Sequence, residues 1–445
     1  MDSVSLWFSL LLDQPHTMPG LNTFPGSDDI TRLTLPNGIV VLARPNFNSL
    51  SVVVSGYFPA GSLFDSDERL GLADFTAQAL MRGTQQRSFQ QLYDALESAG
   101  ASLGIQGGTH SAGFAGQALA EDLGLLLSLL SETLRQPAFP QDQVERLRAR
   151  LLTGLAIRAQ NTADMSAMVL DQLLYPGHPY SRPEDGYPET IQAITQADLQ
   201  AFHVRHYGPR GLVLSVVGAV EPQQVVDLVN QALGDWQNPA QPALPVLPPV
   251  QPLIEGVRRH VEIPGKMQTD IVMGVPGPAR KTPEFLAASL GNSILGQFGM
   301  YGRIGQVVRE QAGLAYYAAS SLSGGPGPGP WFVSAGVEPG KVEQALELIR
   351  AEIGRFVSQP VTEEELADNQ ANYIGRLPLS LESNLGVAAA LLNLERYDLG
   401  LDYYRLYPSL VSAITREAIL EAARRYLDPL RLAVATAGSS AQDAD

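Results

Sequence analysis

The chain of 445 residues contains no cysteine. Disulfides, thiolate metal sites and a cysteine nucleophile are therefore excluded together. It has no run of 18 apolar residues, so it is expected not to span a membrane. The one apolar run near the start, LWFSLLL at 6–12, is short, follows Asp2 rather than a basic residue, and has no small-residue cleavage pattern behind it. It is expected not to act as an export signal, and a cytoplasmic location is expected with export left open. Positive charge is also scarce. Against 46 Asp and Glu stand 30 Lys and Arg, a formal charge of −16 that is spread without a long acidic run. That balance argues against nucleic acid as a partner and is compatible with basic peptides.

What is present suits an ordinary globular protein, with 45% hydrophobic and 17% charged residues. The length predicts two lobes or more. A boundary is visible in WQNPAQPALPVLPPVQP, 236–252, where six prolines in seventeen residues remove amide donors and favour an extended, semi-rigid linker. The expected lobes are 28–236 and 253–440, joined by 237–252. Halves of similar size invite a search for a repeat, and one is found. Ala193-Ile194-Thr195, Pro209 and Gly218 recur as Ala413-Ile414-Thr415, Pro429 and Gly438, each 220 positions on. Each unit reads as a Thr N-cap, an amphipathic helix, a proline stop and an apolar strand. An earlier echo aligns LESAGASLGIQ at 96–106 with REQAGLAYYAA at 309–319, 213 positions on, where a helix ends at Gly100 or Gly313 and a strand follows. The halves are thus tandem copies of one α+β unit. Strands are expected over 39–42, 52–58, 102–118, 211–217, 269–275, 315–322 and 331–337. Helices are expected over 69–81, 88–98, 120–134, 141–160, 282–296, 340–357, 362–373 and 415–426.

Six histidines are available for chemistry: His16, His110, His178, His203, His206 and His260. Only His203 and His206 are close, at i and i+3 near the end of a helix, with no carboxylate between them. A helix C-terminus carrying basic side chains explains them better than a shared metal. His178, in YPGHPYSRP, reads as a turn residue. GGPGPGP at 324–330 lacks the Lys-Ser/Thr of a phosphate loop and reads as a hairpin connection.

One helix is different in kind. GLADFTAQALMRGT, 71–84, has the cadence of a zinc peptidase helix with Asp74, Ala77 and Gln78 at the metal positions. It resembles the inverted zinc-binding helix, His-x-x-Glu-His, of the insulinase/pitrilysin/mitochondrial processing peptidase family. LPNGIVVLA at 35–43, YPGHPYSRP at 175–183, VVGAV at 216–220 and GMYGRIGQVVREQAGLAYYAASS at 299–321 are similar to other family segments, so the resemblance runs from about residue 30 to 440. It implies an α+β fold of two tandem homologous lobes, each a mostly antiparallel sheet with helices on one face, forming half of a clam-shell chamber.

Carried onto this chain, the family's zinc histidines fall on Asp74 and Gln78 and its general base on Ala77. The third ligand, a glutamate in a later long helix, has no counterpart, because RLRARLLTGLAIRAQNTA at 146–163 contains no acid. A hydrolytic zinc needs all of these, so no zinc is expected in this chain. The family's substrate-binding Arg and Tyr of the second half are similar to Arg309 and Tyr316, whose guanidinium and phenol would donate to a peptide carbonyl. Their counterparts in the first half are Leu96 and Leu103. Gly299, Tyr301 and Gly302 lie in the flexible-looking segment just before, which would approach a peptide or a partner. The resemblance therefore implies the metal-free subunit of a heterodimeric metallopeptidase. A homologous partner would carry the zinc, peptides would be the substrate, and a homodimer would be open to the chain alone. A scaffold role, or peptide binding without proteolysis, stands as the alternative.

Overall fold

The computed structural model describes residues 24–439, with the side chains of Met300 and Tyr301 outside it, so the run at 6–12 and His16 also lie outside the described residues. The first lobe contains β1 (Thr31–Thr34), β2 (Val40–Pro45), β3 (Ser51–Phe58), α1 (Leu72–Ala79), α2 (Phe89–Ser98), β4 (Ser102–Gln106), β5 (Ala112–Leu119), α3 (Leu123–Arg135), α4 (Gln141–Arg158), α5 (Thr162–Leu174), α6 (Pro188–Ala193), α7 (Gln196–His206), β6 (Val213–Gly218) and α8 (Pro222–Leu233). The second contains β7 (Val257–Glu262), β8 (Thr269–Pro276), α9 (Phe285–Gly296), α10 (Phe298–Ile304), a π-helical segment Gly305–Gln311, β9 (Ala315–Gly324), β10 (Pro328–Val337), α11 (Val342–Ser358), α12 (Glu363–Ser380), α13 (Asn384–Tyr397), α14 (Tyr403–Ser412), α15 (Arg416–Tyr426) and β11 (Ala433–Gly438).

Among the described residues the strands form two sheets, ordered β1-β2-β6-β3-β5-β4 and β7-β11-β8-β10-β9. Apart from β1 the two orders correspond strand for strand. The single parallel pair of each sheet, β2 with β6 and β7 with β11, falls at the same place. The repeated sequence signals explain why. Thr195 and Thr415 each cap the helix that follows, accepting from the amides of Asp198 and Ala418, and the six-residue strands β6 and β11 are wholly buried. Gly100 and Gly313 both take left-handed φ, 58° and 62°, at a helix-to-strand turn, a conformation a side chain would strain.

The stretch 102–118, expected as one strand, is the β4–β5 hairpin. Its tip is pulled out of line because the carbonyls of Gly108 and Thr109 accept from the amides of Ser62 and Leu63. The helix expected over 69–81 begins at Leu72 and tightens into a 3₁₀ turn at Leu80–Arg82.

Each sheet has two apolar faces, as alternation along the strands requires. In the first sheet Val41, Val52, Val54, Leu214 and Val216 face the helices of their own lobe. Leu42, Val53, Val213 and Val217, one residue out of phase, face α13 of the other lobe through Val387, Ala388 and Leu391. The second sheet reciprocates. Ile271, Met273, Val275 and Val434 face their own helices, whereas Val272, Ala433 and Ala435 face Val169, Leu170 and Leu174 of α5, from the first lobe. Neither helix was expected, and each covers the face that its own lobe leaves bare.

The polar ends of the exchange match too. Thr162, at the start of α5, donates to Asp270 of β8, and Asn384, at the start of α13, donates to the carbonyl of Ser51 on β3 at 3.3 Å. The proline-rich segment at 237–252 contains neither helix nor strand, and it is pinned. Gln241 is buried and bonds both the amide and the carbonyl of Arg210, at 3.0 and 2.9 Å, while Val250 and Leu253 pack against the α5 cluster. The lobes are clasped by reciprocal helices rather than hung on a free linker. No single helix among the described residues is long and apolar enough to cross a membrane.

Candidate functional site

Helix α1 presents Asp74 and Gln78 one turn apart, and packs Ala77 fully into the core. Its first turn is held by the buried carboxylate of Asp65, which accepts from the amides of Gly71 and Ala73, both at 3.0 Å. Gln78 Nε2 donates to Asp74 Oδ2 at 2.7 Å, and the Gly107 amide donates to Asp74 Oδ1 at 3.2 Å. From α4, Arg150 Nη2 donates to Gln78 Oε1 at 2.6 Å. Guanidinium, amide and carboxylate thus form a continuous chain, and both oxygens of Asp74 already have donors. Burial pushes the Asp74 carboxyl above its ordinary value, against those two hydrogen bonds.

These residues do not fit zinc. A hydrolytic zinc takes imidazole and carboxylate lone pairs and leaves a carboxylate beside its water. Here the single carboxylate is occupied, the amide oxygen is engaged, the base position is the methyl group of Ala77, and a guanidinium stands at the mouth. Among the described residues, no group of three or more His, Cys, Asp or Glu is placed to hold a metal ion.

Arg309 and Tyr316 lie in the other lobe. Arg309 sits in the last turn of the π-helical segment, with Nε 3.7 Å from Glu310. Tyr316 is the second residue of β9 and is 84% exposed. The exposure has a local cause. Tyr317 pairs with Gly336 and Ala315 pairs with Val337, so Tyr316 is the extra residue of a β-bulge and faces no partner on β10. In the first lobe Leu103 pairs regularly with Gly116 and turns into the core, as does Leu96. Arg309 and Tyr316 are close along the chain, but neither lines the cleft at Asp74.

The segment expected to be a flexible approach is the short helix α10, which runs directly into the π-helical segment. Buried Ile304 and Val308 anchor it, and Arg303 forms a two-pronged pair with Glu365, both bonds at 2.6 Å. Gly299 and Gly302 retain left-handed φ, 64° and 59°, and a Cβ at Gly302 would lie 2.5 Å from the Ile294 carbonyl oxygen. Tyr301, named with them, is outside the described side chains.

Two clefts flank the free edge of β4. The larger, of 710 Å³, is lined by Gly104, Gln106 and the 107–111 turn on one side and by Gly324, Gly325, Arg396 and Tyr397 from the second lobe on the other. The smaller, of 470 Å³, is lined by Asp74, Gln78, Arg82, Tyr93, Arg150 and the same β4 edge. His203, His206 and His178 serve packing. His203 Nε2 donates to the Leu134 carbonyl at 2.8 Å, and His206 lies between the rings of Phe64 and Phe202. His178 is buried; its Nδ1 accepts from the Tyr180 amide and its Nε2 donates to the Pro248 carbonyl. The same loop seats the Gly-Pro hairpin, since Tyr175 donates to the Pro328 carbonyl at 3.0 Å. Sequence reading missed Arg150 and the bulge. A basic residue on a long helix carries no signal of a partner 72 positions away, and a one-residue register shift leaves no compositional trace.

Comparison with known proteins gives a consistent picture. Residues 40–181 match the family model described as insulinase (peptidase family M16), and residues 193–373 match the model described as the peptidase M16 inactive domain. An uncharacterized zinc protease of Streptomyces coelicolor is 26% identical over 362 residues, covering 80% of this chain and 78% of that protein. Subunit 1 of the human mitochondrial cytochrome b-c1 complex is 26% identical over 59% of this chain and 55% of its own. A probable mitochondrial-processing peptidase subunit beta of Arabidopsis thaliana is 26% identical over 49% of this chain and 41% of its own. Among solved structures, one described as a peptidase M16 inactive domain from Pseudomonas fluorescens superposes with a TM-score of 0.85 at 26% identity, covering 93% of this chain and 98% of that one.

Proposed function

The chain belongs to the insulinase family of peptidases, M16, as an inactive-type member, and from that premise we propose that it is the metal-free subunit of a two-component peptidase. A homologous partner with an intact His-x-x-Glu-His helix would supply metal and base. This chain would hold an extended peptide and donate to its scissile carbonyl. Relatives that are subunits of larger assemblies support the idea of a partner.

The observation that carries the reading is Tyr316, which a bulge turns outward seven residues after Arg309 in the chain, while Arg150 is bonded to Gln78 at the metal position. Nothing in the shared fold calls for a phenol there, because the other lobe places leucine at both positions. As negative charge grows on a peptide carbonyl oxygen, a guanidinium and a phenol fixed nearby stabilise it. Peptide binding has a physical route as well. Among the described residues the outer edge of β4 has no pairing strand, its exposed Ser102, Gly104 and Gln106 alternate with buried Leu103 and Ile105, and two clefts are lined by its residues. An added strand would meet main-chain donors along that edge.

The test is a reconstituted pair made with a homologous zinc-bearing subunit. Tyr316→Phe should leave assembly intact and lower kcat on the order of 10² to 10³, as for one lost oxyanion donor. Arg309→Lys should also reduce it, since a point charge does not reproduce the planar fork. Full turnover by both variants would favour a scaffold subunit instead, the reading to which the cytochrome b-c1 relative and the clasped lobes lend weight.

A further inference from the structure

The cleft beside α1 holds two guanidinium groups where the family fold would place a metal cation. Arg150 projects from α4 and is fixed by its bond to Gln78 Oε1 at 2.6 Å. Arg82 ends the 3₁₀ turn after α1 and is half-buried, with its guanidinium carbon 5.3 Å from the centre of the Phe89 ring. Among the described residues no carboxylate lies within 4.0 Å of either group. The acid that shares the cleft, Asp74, is engaged by Gln78 and Gly107. The acids beyond it are engaged as well, Asp185 with Arg158 and Glu184 with Thr109. Burial first, and then the charge of Arg150, press the Arg82 guanidinium below its ordinary value, and both guanidinium groups line the same cleft.

Tyr93 and Gln106 add neutral polar groups to the same wall, and the edge residues Leu103 to Gln106 of β4 complete it.

We infer that this cleft binds a carboxylate group of an extended peptide lying along the free edge of β4. The inference rests on the peptide-binding reading above and names a feature of its ligand. A planar guanidinium pairs with a carboxylate through two parallel bonds, and Arg82 and Arg150 are already held in place by an aromatic ring and an amide, so little freedom is lost on binding. The replacement of a metal by an anion site follows from the charge alone. With imidazoles and a glutamate gone, the cleft has exchanged lone pairs for N–H donors. The carboxylate could be the C-terminus of the peptide or an Asp or Glu side chain, since both present the same two oxygens.

The experiment uses the full chain and calorimetric binding of three decapeptides of one sequence: a free C-terminal acid, its C-terminal amide, and the amide with one central Asp. The acid, the Asp peptide or both should bind on the order of tenfold more tightly than the plain amide, the scale of one charge-assisted pair. Arg150→Gln and Arg82→Gln, each checked for an unchanged unfolding midpoint, should bring that ratio close to one, and Arg150→Lys should restore part of it. Gain with the free acid alone identifies a terminal carboxylate; gain with the Asp peptide alone identifies a side chain. Equal binding of all three peptides overturns the carboxylate site while leaving peptide binding intact. A preference that survives both Gln variants overturns it too, by placing the carboxylate elsewhere. If no peptide binds, this inference and the peptide-binding reading fall together.

Discussion

The two lobes share a strand order, the position of the parallel pair and the capped helix before the last strand, yet one residue of register separates their most important junction. After Gly100 the chain enters β4 in regular pairing, and Leu103 points inward. After Gly313 it enters β9 through a bulge, and Tyr316 points outward. The same fold therefore buries a side chain in one copy and presents one in the other. The lobes differ again at α1, where Asp74, Gln78 and Arg150 form a closed polar chain. Duplication supplies two equivalent frames. Local departures from equivalence are where function is to be sought.

The comparison is open to attack first at the clasp. Leu391 of α13 and Leu170 of α5 are both buried, each on the other lobe's sheet. Leu391→Ala and Leu170→Ala should each cost about 2–5 kcal/mol and shift one cooperative unfolding transition. Two separated transitions in thermal or denaturant unfolding would show that the lobes are independent units joined by the proline segment.

A smaller effect sharpens the contrast in register. Leu103→Tyr has no bulge to turn the ring outward and should destabilise by about 1–3 kcal/mol through overpacking. Tyr316→Leu, at an exposed bulge, should stay within about 0.5 kcal/mol. Equal costs in a denaturant titration would mean that the bulge does not decide the direction of the side chain.

The smallest effect concerns acid. His206 and Tyr426 end the corresponding helices α7 and α15. Burial, with the charge of Arg205 second, lowers the pKa of His206 from its ordinary 6.5 to about 4. Between those values the unfolded chain binds more protons than the folded one, so this group makes stability rise with pH from about 4 to 6.5 and contributes no slope above. His206→Phe, which keeps the ring between Phe64 and Phe202, should flatten that part of the profile. An unchanged slope in unfolding measured at pH 4, 5 and 6.5 would remove His206 as its source.

Much of this was legible beforehand. Thr195 and Thr415 are caps because a hydroxyl before a helical run satisfies a first-turn amide, a local matter that residue identity decides. The strands β6 and β11 are wholly buried and largely apolar because they are interior to their sheets and covered on both faces. In the candidate site, the identities of Asp74, Ala77 and Gln78 were legible from residue type alone as unlike a zinc ligand set. Helices α5 and α13 were not anticipated. Their apolar residues serve a sheet in the opposite lobe, and periodicity reports that a face is apolar without reporting what covers it.

By itself, then, the sequence determined that the chain carries a repeated unit and that Asp, Ala and Gln stand at 74, 77 and 78, since each rests on residue type and short-range spacing. Only the tertiary structure decided that the lobes exchange helices, that Arg150 closes onto Gln78, and that Tyr316 faces outward. These depend on which distant side chains meet and on a single residue of strand register, and both are settled by packing in three dimensions rather than by local preference.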